Sequence, residues 1–332
     1  MNKIKEVTIC TVCTDDDILL QKNIEIINSQ NKSLKILWII VLNKEINEKF
    51  LNQEKYSKDI LFVNGLPRNL IGSIALHHSI GLNISKKYIK TKNVIFIDPD
   101  FFLLKKNIIL EVFNNMNKNK LSIYGTPWHP KWYTKYRYFP CSHCLFVDLN
   151  LVDLNYLDFR PIKIVWDKQY SHLNQYNNNW SLIVKIIIKF FSFNKKIENF
   201  ISYMLFKRTE NCFDGDTSHR IFLLKKDIFY KYGYFSPYFS VINDWLVPIP
   251  WSLNRFIEFF LPERWSYFPK KKNYVTFKNK LGDYISSLGY ESFFYNNKII
   301  GLHIRGHPKR MVKKRNKREE VSNLQKIYKD FI

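Results

Sequence analysis

A chain of 332 residues with 46% hydrophobic and 24% charged side chains can bury a large core, which excludes the polar, charge-rich class that stays disordered. Its formal net charge of +23 attracts anions and does not by itself choose between nucleic acid, anionic lipid and a phosphorylated substrate. Five cysteines in a chain this long argue against the disulfide framework of small oxidised domains and for a reducing compartment.

The opening stretch MNKIKEVTICTVCTDDD passes from two lysines into an apolar run too short and too polar for a signal peptide. No segment reaches the roughly 18 uninterrupted apolar residues of a membrane span. The expectation is a soluble or peripheral protein of the cytoplasm. Val7 to Val12, Ile36 to Leu42, Ile60 to Val63 and Val94 to Ile97 read as buried strands, and Ile18 to Ser29 and Ser73 to Tyr88 carry the three-and-four spacing of helices. Alternation of this kind predicts an α/β fold with a mostly parallel sheet over residues 1–150. From 151 to 308 the alternation gives way to irregular, aromatic-rich sequence, expected to shape the acceptor side, and 309–332 reads as a basic tail.

Cys10/Cys13 and Cys141/Cys144 have the spacing of zinc thiolates, but strand alternation sends Cys10 and Cys13 to opposite faces. Ligands of open α/β sheets bind at the carboxyl ends of the strands. That edge is polar here: Thr14 to Asp17, Asn43, Asn64 with Gly65, and Asp98 to Asp100. The last of these is the sharpest feature. In VIFIDPDFFLL an apolar strand ends in two aspartates spaced by a proline, and apolar residues resume at once. Carboxylates fixed in this way suit a hard divalent cation such as Mn2+ or Mg2+ that also holds a diphosphate. The plain alternative is a strand-to-turn pair of solvated aspartates.

On the VTICTVCTDD strand and turn, the GSIALHHSIGLN helix and IDPDFFLL, the sequence resembles the GT-A glycosyltransferases, particularly the family 2-like enzymes. The resemblance covers residues 5 to 150 and, more loosely, 210 to 308. It implies a GT-A type sheet, a divalent metal, a nucleotide-diphosphate sugar donor and transfer to a hydroxyl of a glycan or lipid-linked acceptor. By position, Asp98 lies nearer the ribose, Asp100 is the more direct metal ligand, and Thr11, Cys13 and Asp15 sit by the base. Many members carry an aspartate at the end of the second strand, where this chain has Asn43, and the helix after Gly72 turns its first turn to the donor. Inverting members use an aspartate after the metal motif as the base that deprotonates the acceptor, and FDGDTSHRIFLL offers Asp216, with Asp214 a near competitor and a helix cap as the structural alternative. Some GT-A enzymes complete the metal site with a late histidine. GLHIRGH offers His303, and Arg305 two residues on as a diphosphate contact. Of the adjacent His77 and His78 at most one faces the site; His143 is a third candidate, for sugar contacts, and for all three the favoured reading is a core or surface role.

Three features suggest a peripheral position at the inner face of the plasma membrane, on anionic lipid. WSLIVKIIIKFFSFNKK, from Trp180, sets Lys185 and Lys189 on one helical face of an otherwise apolar stretch, with a core helix as the alternative. Trp245, Trp251 and Trp265 form an aromatic cluster, and KRMVKKRNKR, from Lys309, packs seven basic residues into ten. Nucleic acid is not expected, because no recognition motif is present and an acidic strand edge repels phosphate. A nucleotidyltransferase and a non-catalytic basic binding protein on a degenerate α/β domain are the competing readings. Convergence of Asp98, Asp100 and His303 is what separates the enzyme from the binding protein.

Overall fold

The structure, a computed structural model, describes residues 4–14, 17–43, 59–66, 74–129, 139–160, 217–218, 220–221, 231–238, 240, 278–304 and 316–331. Asp15, Gly72, Asp214, Asp216, Arg305, the segment from Trp180, the tryptophan cluster and residues 309–315 lie outside them.

The predicted elements of the first hundred residues are present. Strands β1 (Glu6–Cys13), β2 (Lys35–Leu42), β3 (Ile60–Asn64) and β4 (Asn93–Ile97) alternate with helices α1 (Asp17–Gln30) and α2 (Ile74–Ser85). They join a seven-stranded sheet in the order β3-β2-β1-β4-β7-β6-β8, completed by β6 (Ile123–Gly125), β7 (Cys144–Asp148) and β8 (Tyr232–Tyr234). Only β7 opposes its neighbours, so the sheet is mostly parallel, as expected. Both faces are covered, which is why β1 is buried on both sides from Val7 to Cys13 rather than on alternate residues. Val7, Ile9 and Cys13 face the core that holds Leu20, Ile24 and Ile27 of α1, and Cys10 and Val12 face the core that holds Leu82 of α2. The two thiols therefore occupy different cores, as strand alternation predicts. Burial pushes the Cys10 thiol up to about 12, a value unsuited to a metal-binding thiolate.

Helix α3 (Ile108–Asn119) packs on the first core through Ile108, Ile109, Val112, Phe113 and Met116, one face of a 3.6-residue period. Asn107 and Lys120 bracket it in left-handed conformations, at φ 56° and 52°.

A second, four-stranded sheet runs β5-β11-β10-β9, formed by β5 (Phe101–Leu103), β9 (Ser236–Pro237), β10 (Glu291–Tyr295) and β11 (Lys298–His303). Strands β10 and β11 make a hairpin whose turn residues, Asn296 and Asn297, both have positive φ (49° and 59°), the conformation of a two-residue primed turn. Gly301 lies where β11 meets β5. A Cβ there would come within 2.6 Å of the Phe102 carbonyl oxygen, so only glycine lets the strands approach. Helix α4 (Lys280–Ser287), capped by Asn279 through its side-chain oxygen, precedes β10. Helix α5 (Lys317–Phe331) buries Leu324 and Ile327 in the core that holds Leu19 and Ile26 of α1, so the end of the basic region is a packed amphipathic helix. No helix among the described residues is long and apolar enough to cross a membrane.

Candidate metal centre

Strand order fixes where a ligand fits. The chain runs outward from β1 through β2 to β3, then returns to place β4 on the other side of β1. Open α/β sheets form their ligand crevice at such a reversal, at the carboxyl ends of the strands. Asp98 succeeds the last residue of β4 at that point.

The turn Asp98-Pro99-Asp100 carries the chain from the seven-stranded sheet into β5 of the small one. Backbone hydrogen bonds hold it from three directions: the Asp98 amide donates to the His143 carbonyl (3.0 Å), the Phe101 amide to the Asp98 carbonyl (3.0 Å) and the Ile304 amide to the Asp100 carbonyl (3.1 Å). Asn23 of α1 adds a fourth support. Its buried Nδ2 donates to the Phe101 carbonyl at 2.8 Å and lies 3.4 Å from those of Asp98 and Pro99. Phe101, Phe102, Leu103 and Leu104 are fully buried. Burial of that run, at about 1.5–3 kcal/mol for each such side chain, anchors the turn on the core.

His303 reaches the turn from β11, where it pairs with Phe101 of β5 on one side and Glu291 of β10 on the other. Its Nε2 lies 3.3 Å from Asp100 Oδ1 and 3.8 Å from Asp98 Oδ2, and its Nδ1 lies 3.0 Å from Glu291 Oε2. All four side chains are almost wholly buried. Burial opposes a charge on the imidazole, yet the Asp100 and Glu291 carboxylates overcome it and hold its pKa up at about 9.

Residues Asp98, Asp100 and His303 each offer one ligand atom, all within 4.8 Å of one another. Ligands about 2.1 Å from an ion in octahedral geometry sit about 3.0 Å apart at adjacent positions, so the 3.3 and 3.8 Å between His303 and the two aspartates need only a small contraction. Asp98 Oδ1 and His303 Nε2 are buried and have no partner in hydrogen-bond geometry. Buried polar atoms are almost always paired, and a cation among these three side chains would satisfy both. The residues therefore fit a divalent metal. An imidazole beside two carboxylates suits Mn2+ at least as well as Mg2+.

Two more histidines surround Asp98. His78 Nε2 lies 3.3 Å from Oδ1, and His143 Nε2 lies 4.0 Å from Oδ2. The His143 ring stands 4.6 Å from that of His303, has Trp128 edge-on at 4.3 Å, and its Nδ1 is 3.1 Å from Cys141 Sγ. His77 points elsewhere, as adjacency on a helix requires: its Nε2 meets the Leu66 carbonyl at 2.5 Å.

Besides Asp98, three of the nucleotide contacts expected from sequence are within the described residues. Thr11 and Cys13 are buried on the α1 side of the sheet, Cys13 inside the apolar core and Thr11 Oγ1 without a hydrogen-bond partner. Asn43 is buried too, and its Nδ2 donates to the His77 carbonyl (3.1 Å), joining the end of β2 to α2. Asn23 and Glu291 were missed by reasoning from sequence, whereas His78 and His143, candidates read as core or surface residues, stand beside Asp98. For Glu291 a signal existed in YNNK, which reads as a hairpin turn and brings the residues before it opposite those leading to His303.

No protein-family model matches the chain, and no curated protein matches it. Among solved structures it is similar to a mannosyltransferase from Pyrobaculum calidifontis in complex with GDP-Man and Mn2+ (10% identity, TM-score 0.34, 44% of this chain and 45% of that one). It is also similar to S. aureus TarS residues 1–349 (10% identity, TM-score 0.35, 48% and 51%). A galactosyltransferase, LgtC, in complex with donor and acceptor sugar analogues, is matched at 12% identity and TM-score 0.38 over 73% of this chain and 78% of that one. The chain spans about half the length of the first two.

Proposed function

We propose that the protein is a metal-assisted glycosyltransferase of the GT-A type, moving a sugar from a nucleoside-diphosphate donor to a hydroxyl of a glycan or lipid-linked acceptor. The observation that supports this reading is the convergence of Asp98, Asp100 and His303, with two buried polar atoms left over, at the point where the strand order reverses.

In this reading Asp98, Asp100 and His303 hold Mn2+ or Mg2+, which when bound supplies the positive charge that a departing diphosphate needs. The chain's own groups do the rest. The backbone bonds and Asn23 fix the turn that carries the carboxylates before substrate arrives, so little rearrangement opposes binding. Arg305, two residues past His303, donates to the diphosphate, and Thr11, Cys13, Asp15, Asn43 and Gly72 shape the nucleotide side. Asp216, with Asp214 as the alternative, takes the acceptor proton, which gives inversion at the sugar carbon.

Calorimetry with UDP and GDP, in Mn2+ and after EDTA treatment, tests the core of the proposal. Binding is expected only with the ion, because the bare carboxylates repel a diphosphate; equal affinity after EDTA would overturn the metal assignment. Release of a nucleoside diphosphate from donor sugars, rather than pyrophosphate from a nucleoside triphosphate, separates this reading from a nucleotidyltransferase. The position at an anionic membrane surface rests on the Lys185 and Lys189 stripe, the cluster of Trp245, Trp251 and Trp265, and the basic run from Lys309. Failure to sediment with anionic vesicles at low salt would remove it.

A further inference from the structure

Resting on the metal reading, we propose that Glu291 is a positioning residue: it holds the His303 imidazole with a proton on Nδ1 and so turns the Nε2 lone pair toward the ion. The carboxylate lies 3.0 Å from Nδ1, and Nε2 faces the two aspartates. An imidazole that donates from one nitrogen presents a lone pair on the other, and a carboxylate acceptor also makes that lone pair more basic.

Strand register delivers this pair. From the Asn296-Asn297 turn, Tyr295 faces Lys298 and Phe294 faces Ile299, a register that would place Glu291 opposite Leu302. A bulge intervenes. Phe293 faces Gly301, Ile300 becomes the extra residue of β11, and Glu291 comes to face His303. Residues directly opposite on an antiparallel pair share a face of the sheet, whereas a one-residue slip would send His303 to the other side.

A structural ion pair does not account for the arrangement. One carboxylate suffices to pair an imidazolium, and here three converge on one ring, each almost wholly buried. Three buried carboxylates around one imidazole, with His78 and His143 also beside Asp98, are more groups than a simple ion pair uses, and such burial is costly unless each has a role. Division of labour resolves the excess: Asp98 and Asp100 face the ion, and Glu291 serves the far side of the ring.

Titration of the full-length protein with Mn2+, followed by the electron paramagnetic resonance of the free ion, tests the proposal in three variants. Glu291→Gln keeps an acceptor and loses the charge, and its Mn2+ affinity should fall about 10-fold; Glu291→Ala loses both, and its affinity should fall toward 100-fold. Asp100→Asn is the control for the site itself. If Glu291→Gln and Glu291→Ala bind Mn2+ as the wild type does, or lose thermal stability without losing affinity, Glu291 is a structural acid and the proposal fails. Should Glu291→Ala not fold, the near-isosteric Glu291→Gln decides. If the wild type and Asp100→Asn take up Mn2+ equally, the metal reading falls first and this one with it, an outcome distinct from a silent Glu291.

Discussion

Replacing Asp100 by asparagine is expected to abolish Mn2+-dependent binding of nucleoside diphosphates while leaving the fold intact. The substitution keeps size and shape and removes one of two anionic ligands. Loss of an outer-shell partner alone costs about 10–100-fold in metal affinity, so loss of a carboxylate that contacts the ion should exceed that range. The apo protein should not suffer in proportion. Asp98 and Asp100 are like charges in a buried turn, and neutralising one relieves their repulsion even as His303 loses a neighbour. Calorimetry for binding and thermal melting for stability read the two effects separately. A variant that keeps ion-dependent binding at wild-type affinity would place the metal elsewhere.

Asp216→Asn is expected to bind donor and ion as the wild type does and to lose transfer by about 10²–10⁴-fold, the usual contribution of a positioned general base. The expectation comes from the order of residues in FDGDTSHR and from the anchoring of the residues just after Asp216. Ser218, at φ 70°, donates from its amide to the Phe159 carbonyl at 2.9 Å, and Arg220 lies 3.3 Å from Asp158 Oδ2. Asp158 is in turn engaged by Asn83 of α2 at 3.0 Å, so the chain just past Asp216 is tied to the nucleotide half. Single-turnover assays on Asp216→Asn and Asp214→Asn assign the role. Unchanged transfer in the first and loss in the second would move the base by two residues.

The range of each interaction decided whether it was legible in the sequence. Strands β1, β2 and β4 and helices α1 and α2 are legible because apolar periodicity is local, and the aspartate pair is legible because it interrupts such a run. His303 was reached through resemblance, not through pattern. The small sheet was invisible: Phe101 pairs with His303 across some two hundred positions, and nothing local in FFL distinguishes a strand that changes sheets from one that ends. Glu291 was hidden by the bulge, since counting back from the turn without it gives the wrong partner. Asn23 was hidden differently. It sits on the apolar face of α1 among Leu20, Ile24 and Ile27, where a polar residue looks like an imperfection until the carbonyls it serves are seen.

The same distant pairing makes the centre tolerant of change elsewhere. Once β5 and β11 are joined, roughly two hundred residues between Asp100 and His303 form one closed excursion that starts and ends at the aspartate turn. The entropy of closing a loop grows only with the logarithm of its length, by about 0.6 kcal/mol for a doubling. Insertions in the connections of the excursion therefore leave the cost of bringing Asp100 and His303 together almost unchanged, provided the strands from β6 to β11 keep their pairing.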